Sequence, residues 1–135
     1  MLLDAQGQVL RPAKLWCDTE STAQNQRLLD HLGGEQGSLE RLGLVIAPGY
    51  TVSKLLWTRE NHPDLFARIA HVLLPHDYLN HWLTGRACAE YGDASGSGYF
   101  NVRQVTSMCA SAPGTCRCCT TSTPAAVSRP PCRNC

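Results

Sequence analysis

A break in the chemical alphabet near Gln104 limits what this chain can fold into. Residues 1–104 carry spaced Leu, Val, Ile and Trp among charges of both signs, the mixture that a core and a solvated surface require. Residues 105–135 contain no Leu, Ile, Phe, Tyr, Trp, Asp, Glu, Lys or His. They hold six of the eight cysteines, and Ser, Thr, Pro, Ala and Arg make up most of the remainder. Such a segment lacks the apolar surface to offset the roughly 1–2 kcal/mol per residue that ordering a backbone costs. The expectation is a folded unit over 1–104 and a disordered Cys-rich tail over 105–135.

About a hundred residues suffice for one modest core. The formal net charge is +1, so no global field points to nucleic acid. Apolar runs such as Leu44-Val45-Ile46-Ala47 fall far short of the roughly 20 residues that cross a bilayer, and no membrane partner is expected. Met1-Leu2-Leu3 meets Asp4 at once, without the apolar stretch of a signal peptide. That favours the cytoplasm, where disulfides are rare, and Cys17 and Cys88 read as ordinary buried thiols.

The pattern of elements is α/β. Leu2-Leu3 and Val9-Leu10 flank Asp4-Ala5-Gln6-Gly7 as a hairpin flanks its turn. Lys14-Leu15-Trp16 is a candidate short strand. A chain opening directly on an apolar strand reads as starting partway through a domain. Asp18 or Thr19 can cap a helix over 24–32, whose Leu28, Leu29 and Leu32 form one apolar face and whose end is marked by Gly33-Gly34. A short helical piece is expected over 38–42, a turn at Ala47-Pro48-Gly49, and a helix opening at Thr51 or Ser53 and ending at His62-Pro63. Leu65, Phe66 and Ile69 then face inward, Val72-Leu73-Leu74 is extended, and residues 77–83 form a helix with Tyr78, Leu79, Trp82 and Leu83 on one face. Residues 91–100 read as a loop with one turn of helix.

Few of the polar residues form a chemical pattern. Gly92-Asp93-Ala94-Ser95-Gly96-Ser97-Gly98 could cradle a phosphate on its backbone N–H groups. It lacks the Lys and spacing of a P-loop, and a structural loop with closely packed glycines is the simpler reading. Asp18 and Asp77 suit helix capping, and nothing in the sequence pairs them or Asp93 with a nucleophile or a metal. The five histidines show no ligand spacing, so solvated or capping roles are expected of them. Trp16, Trp57 and Trp82 read as core or subdomain-contact residues.

Five stretches, taken in order, resemble the FGGY family of carbohydrate kinases. They are residues 2–18, 48–57, 73–79, 83–85 and 93–100, and they include Pro48-Gly49-Tyr50-Thr51 and Leu74-Pro75-His76-Asp77-Tyr78-Leu79. Departures are Glu20 where the family usually has Arg, Thr58 where it has a hydrophobic residue, and Ser97 where it commonly has Thr. The resemblance implies part of a ribonuclease H-like domain of the actin and hexokinase type. It also implies ATP-dependent phosphorylation of a small sugar, with D-xylulose giving D-xylulose 5-phosphate as the nearest pattern, and ATP with Mg2+ as cofactors of a full-length member. In that frame the phosphate-binding hairpin would precede Met1, the catalytic Asp would follow Gln104, and the adenosine pocket would belong to a second domain. No catalytic residue and no metal ligand is therefore expected here, ATP and Mg2+ are expected to bind poorly, and the chain is expected to be inactive alone. Gly49 and Tyr50 match a segment lining the sugar site and are the substrate-binding candidates; the oligomeric state is not indicated. The loop over 92–98 is a structural signature of the family.

Two origins compete for the tail. Cys116-x-x-Cys119 and Cys132-x-x-Cys135 have the form of a zinc ribbon, which would make the chain a small non-enzymatic binding protein with a metal-dependent tail. Against this, Pro130-Pro131 abuts the second pair, Cys109 and Cys118 are surplus, and nothing larger than Val or Met could pack behind a metal. A shifted reading frame of GC-rich DNA accounts for the whole composition. The coding DNA beyond codon 104 is accordingly expected to regain a Leu-rich, periodic sequence in another forward frame. Stop codons or equally non-globular sequence in both other frames would make the tail genuine.

Overall fold

The computed structural model describes residues 1–101, 106 and 107. Its first element is a hairpin of β1 (Leu2–Leu3) and β2 (Val9–Arg11), and β3 (His71–Val72) pairs with the other edge of β1 to give the antiparallel order β2-β1-β3. Leu2 opposes both Arg11 and Val72, and Leu3 opposes Val9 and His71. The turn forms where the sequence places it. The Asp4 carboxylate accepts the backbone N–H groups of Gln6 and Gln8 at 3.0 and 2.9 Å, and Gly7 takes a φ of +77° that a side chain would strain. Leu3, central in this sheet, is fully buried.

The helices among the described residues are α1 (Thr22–Leu32), α2 (Gly34–Leu42), α3 (Thr51–Asn61), α4 (Pro63–Ala67), α5 (Pro75–Thr84) and α6 (Tyr91–Ser95), with α1 packed on α2 and α3. A second pair, β4 (Phe100–Asn101) with β5 (Thr106–Ser107), is antiparallel. The apolar core is small, formed by Leu3, Leu29, Ile46, Ile69, Val72, Leu73, Ala94 and Phe100. Beside it, α1 meets α3 largely through polar groups. Gln24 Nε2 donates to Glu60 Oε2 at 2.8 Å, and Arg27 pairs with the same carboxylate.

Three buried serines hold the irregular chain between α2 and α3. The Ser38 hydroxyl donates to the Leu44 carbonyl at 2.8 Å and accepts the Ile46 N–H at 3.3 Å. The Ser53 hydroxyl faces both Asn25 Oδ1 at 2.9 Å and the Ala47 carbonyl at 3.2 Å. Ser21 reaches the Pro48 carbonyl at 3.4 Å. A loop that dips beneath the surface must pair its backbone groups, and these hydroxyls pair three of its carbonyls and one of its N–H groups.

The α/β class, the hairpin and the helix starts at Thr51 and Pro63 match the sequence reading. Other expectations do not. Residues 14–16 form no strand, and α1 starts at Thr22 behind Ser21 instead of behind Asp18 or Thr19. The Asp18 carboxylate instead accepts the Glu20 N–H at 2.8 Å, closing a turn ahead of the helix. Gly33 ends α1 with φ +93°, yet Gly34 already belongs to α2, which is longer than the piece expected over 38–42. Only Leu29 of the three α1 leucines is buried, because Gln24 and Asn25 occupy the rest of the inner face. Trp16 and Trp82 are 84% and 72% exposed, and Leu79 and Leu83 share that exposure, so among the described residues nothing covers them. Cys17 is exposed and Cys88 half-buried, against the buried thiols expected.

The four candidate zinc ligands Cys116, Cys119, Cys132 and Cys135, and the disorder expected of the tail beyond Ser107, lie outside the described residues. Replacing Ser38 by Ala leaves the Leu44 carbonyl and Ile46 N–H unpaired in a buried place. We expect a loss of about 1–3 kcal/mol in chemical denaturation, and a loss within the few tenths typical of surface changes would show that this hydroxyl does not hold the loop.

Candidate functional site

A cavity of about 790 Å³ opens between three stretches of backbone. One is the end of β2 and its continuation, from Arg11 to Trp16. The second is the turn at Gly49 and Tyr50 with the first two turns of α3, and the third is the passage from Val72 to His76 into α5. Asp93 and Gly96 contribute from α6 and the glycine-rich loop. Gly49 is dictated by contact: a Cβ there would lie 2.3 Å from the Trp16 carbonyl oxygen. The Tyr50 N–H closes the turn onto the Ala47 carbonyl at 2.9 Å, and its own carbonyl accepts the Lys54 N–H at 3.3 Å. The loop fixed by Ser21, Ser38 and Ser53 thus ends in Gly49 and Tyr50 at the cavity wall.

Three cations, Arg11, Lys14 and Lys54, line the cavity, and two of them lie against the Trp57 ring. Lys14 Nζ sits 3.8 Å from the centre of the Trp57 ring and Arg11 Cζ 5.3 Å from it, both within cation–π range. Lys14 also pairs with Asp18 at 3.3 Å and with Glu20. The Glu20 N–H holds the exposed Asp18 carboxyl below its usual range, with Lys14 adding to the effect. Lys54 lies one turn before Trp57 on α3. Burial draws its ammonium below the usual range, opposed by Asp18.

At the far side three acidic groups gather around His76. Its Nε2 is 3.0 Å from Asp77 Oδ1 and 3.4 Å from Asp93 Oδ2. Asp77 is buried and accepts the Leu74 N–H at 3.4 Å, which caps α5 as the sequence suggested. Burial pushes its carboxyl above the usual range; Asp93 pushes the same way, while His76 and the Leu74 and Glu90 N–H groups oppose. Glu90 caps α6 through the N–H groups of Gly92 and Asp93 at 2.8 and 3.1 Å, and these hold the exposed Glu90 carboxyl low. The glycine-rich loop packs as a structural element. The Ser97 carbonyl accepts the Val52 N–H at 2.9 Å, satisfying a free donor in the first turn of α3. A Cβ on Gly98, whose φ is +84°, would come 2.4 Å from Val52 Cγ1.

The model for the N-terminal domain of the FGGY family of carbohydrate kinases matches residues 1–107. The chain belongs to this family. It is 55% identical over 102 residues to a xylulose kinase of Haemophilus influenzae, covering 76% of this chain and 21% of that protein. Over 98 residues it is 44% identical to a xylulose kinase of Streptomyces coelicolor, covering 73% and 20%. The crystal structure of xylulose kinase from Bifidobacterium adolescentis superposes with a TM-score of 0.72 at 30% identity, covering 76% of this chain and 26% of that one. The chain thus spans about a fifth of the length of the curated relatives it matches. The ribonuclease H-like, actin and hexokinase-type architecture expected of an FGGY member is the one the described residues adopt in part. The family match runs through β5, three residues past Gln104.

Within the FGGY frame, Gly49 and Tyr50 stand together on the cavity wall. Sequence reasoning gave Arg11, Lys14 and Lys54 no role in a site and set no partner beside Asp77 or Asp93. The approach of Asp93 to His76 spans the whole segment between α5 and α6, and no spacing signals it. Among the described residues no group of three His, Cys, Asp or Glu is placed to hold a metal ion. None of the helices among the described residues is long and apolar enough to cross a membrane.

The raised carboxyl of Asp77 fixes the sign of a pH effect. The folded state holds its proton more tightly than the unfolded state, so its contribution to stability is full at low pH and is lost as pH rises through the shifted range. Asp77→Asn removes this titration. Its stability relative to the parent chain is expected to rise as pH increases from the ordinary carboxylate range upward, measured by urea denaturation across pH. A difference that stays flat would place Asp77 in a solvated, unshifted environment.

Proposed function

We propose that the chain is the sugar-facing part of an ATP-dependent carbohydrate kinase acting on D-xylulose, with D-xylulose 5-phosphate as product. The observation that carries this reading is the position of Gly49 and Tyr50. The segment that matches the family's sugar-lining stretch follows a loop held by buried hydroxyls and lines the cavity. The relatives that carry the same stretches are named xylulose kinases, which favours D-xylulose over other sugars. We assign Gly49 the role of letting the wall approach the Trp16 backbone, and Tyr50 that of a substrate contact. Residues 1–104 act as the kinase portion, with residues 105–135 as an out-of-frame tail.

In this reading ATP supplies the phosphoryl group and Mg2+ neutralises its charge in the full-length enzyme. On the family resemblance the base on the sugar hydroxyl and the phosphate-binding hairpin are not among residues 1–104, and transfer without a positioned nucleophile and clamped phosphates is slow. The chain alone is therefore inactive. The parent enzyme works in the cytoplasm on a small neutral substrate, with no nucleic acid or membrane as partner. A zinc-dependent binding role for the tail is the less favoured reading, since family membership accounts for most of the chain without it.

Two measurements on the purified chain test the proposal. A coupled ADP-release assay with D-xylulose and ATP should show no turnover above background. Titration with D-xylulose should change the tryptophan fluorescence saturably, since Trp16 lines the cavity, and Tyr50→Ala should weaken that response by about tenfold, the equivalent of one lost polar contact. Turnover that survives removal of host kinases would refute the claim of inactivity. An unsaturable response, or one unaffected by Tyr50→Ala, would refute the assignment of Gly49 and Tyr50.

A further inference from the structure

The sequence contains two lysines, Lys14 and Lys54, and their amino groups are held in opposite ways. Both residues line the cavity. The Lys14 side chain is only 7% exposed, lies against the Trp57 ring and has its nitrogen engaged by Asp18 and Glu20. Lys54, near the start of α3, is half-buried. It makes no side-chain hydrogen bond or ion pair among the described residues, and the charges of Asp18, Lys14 and Cys17 reach it only at longer range. The other amine on the lining, that of Met1, donates to the Leu73 carbonyl.

A lysine becomes a nucleophile when desolvation or a neighbouring cation favours the neutral amine, because only that form keeps its lone pair. Lys54 has both. Burial is the largest influence drawing its ammonium below the usual range; Lys14 acts the same way, while Asp18 and Cys17 oppose. Leu55 and Leu73 line the same cavity, whose volume of about 790 Å³ admits a small molecule.

We propose that Lys54 is a modification site, its amine condensing with the carbonyl of a small 2-hydroxy aldehyde that enters the cavity. The nitrogen lone pair attacks the carbonyl carbon and a C–N bond forms. The carbonyl oxygen leaves as water with the two amine hydrogens, giving an imine. The hydrogen on the hydroxyl-bearing carbon then moves to the former carbonyl carbon and the hydroxyl proton moves to nitrogen, leaving a ketoamine with no oxidant or reductant consumed. This stands on Lys54 and on covalent chemistry, apart from the roles assigned to Gly49 and Tyr50, so either can fail alone.

The experiment treats the full chain, and separately the free amino acid derivative Nα-acetyl-lysine amide, with glyceraldehyde and cyanoborohydride from neutral to alkaline pH. The hydride fixes each imine as a secondary amine, and peptide mass spectrometry locates it. At neutral pH Lys54 is expected to react severalfold faster than the free derivative, and Lys14 more slowly than either. The advantage of Lys54 should vanish at alkaline pH, where an ordinary lysine is also neutral. Lys14→Gln should slow Lys54 at neutral pH, since it removes the neighbouring cation and frees Asp18 to hold the Lys54 ammonium charged. A lysine chosen by access alone would react as fast or faster in that variant. The proposal is overturned if Lys54 reacts no faster than the free derivative at neutral pH, if Lys14 is labelled equally, or if Lys14→Gln leaves the Lys54 rate unchanged. Where Lys14→Gln does not fold by circular dichroism, the pH profile of the unaltered chain decides. A Lys54 rate that levels off at lower pH than that of the free derivative supports the site, and coincident profiles refute it.

Discussion

The stretch between α2 and α3 is the part of this fold that is hardest to build, and three buried serine hydroxyls make it possible. It carries no regular ladder of its own, yet Ile46 at its centre is only 3% exposed. Backbone groups at that depth must find partners or forfeit about 1–3 kcal/mol each. Ser38 from α2, Ser53 from α3 and Ser21 from the entry to α1 supply them, each from a different helix. The loop is thereby a shared surface of three helices. Gly49 and Tyr50 follow immediately, so the wall of the cavity inherits its position from those hydroxyls.

Electrostatics organise the opposite side in the same spirit, with ring and charge in place of hydroxyl and carbonyl. Trp57 is half-buried and serves as a platform for Lys14 and Arg11, while Asp18 and Glu20 draw Lys14 toward the turn before α1. The His76 imidazole bridges α5 to α6 by lying near Asp77 and Asp93. The glycine-rich loop then closes on α3 because Gly98 has no Cβ to strike Val52. For an FGGY member, this arrangement explains why the loop is structural: its glycines are used for contact with a helix, and the Ser97 carbonyl for finishing that helix.

Elements governed by local chemistry were legible in the sequence. Asp4 and Gly7 announce their turn, His62-Pro63 separates α3 from α4, and Asp77 caps α5. Elements governed by partners distant along the chain were not. Gln24 and Asn25 look like solvated helix positions until Glu60 and Ser53 are placed opposite them. Trp16, Trp82, Leu79 and Leu83 look like core by residue type, and periodicity cannot say whether anything lies against them. Cys17 was read as buried on the same average behaviour of its residue type, and the turn that closes at Asp18 leaves it outside. Of the site, the segment of Gly49 and Tyr50 was visible through family resemblance, whereas the cations around Trp57 were scattered charges with no spacing to link them.

By itself the sequence determined the α/β class, the family, the order of most elements and the point near Gln104 where the chemical alphabet changes. Each of these rests on interactions within a few residues or on the identity of ordered stretches, both of which a linear string preserves. The tertiary structure alone decided which polar side chains are buried, which aromatic residues stay in solvent and which charges share a cavity. Those outcomes depend on pairings such as Ser53 with Asn25, 28 residues apart, or Gln24 with Glu60, 36 apart. No periodicity encodes them, because each is the meeting of two surfaces fixed by the packing of everything else.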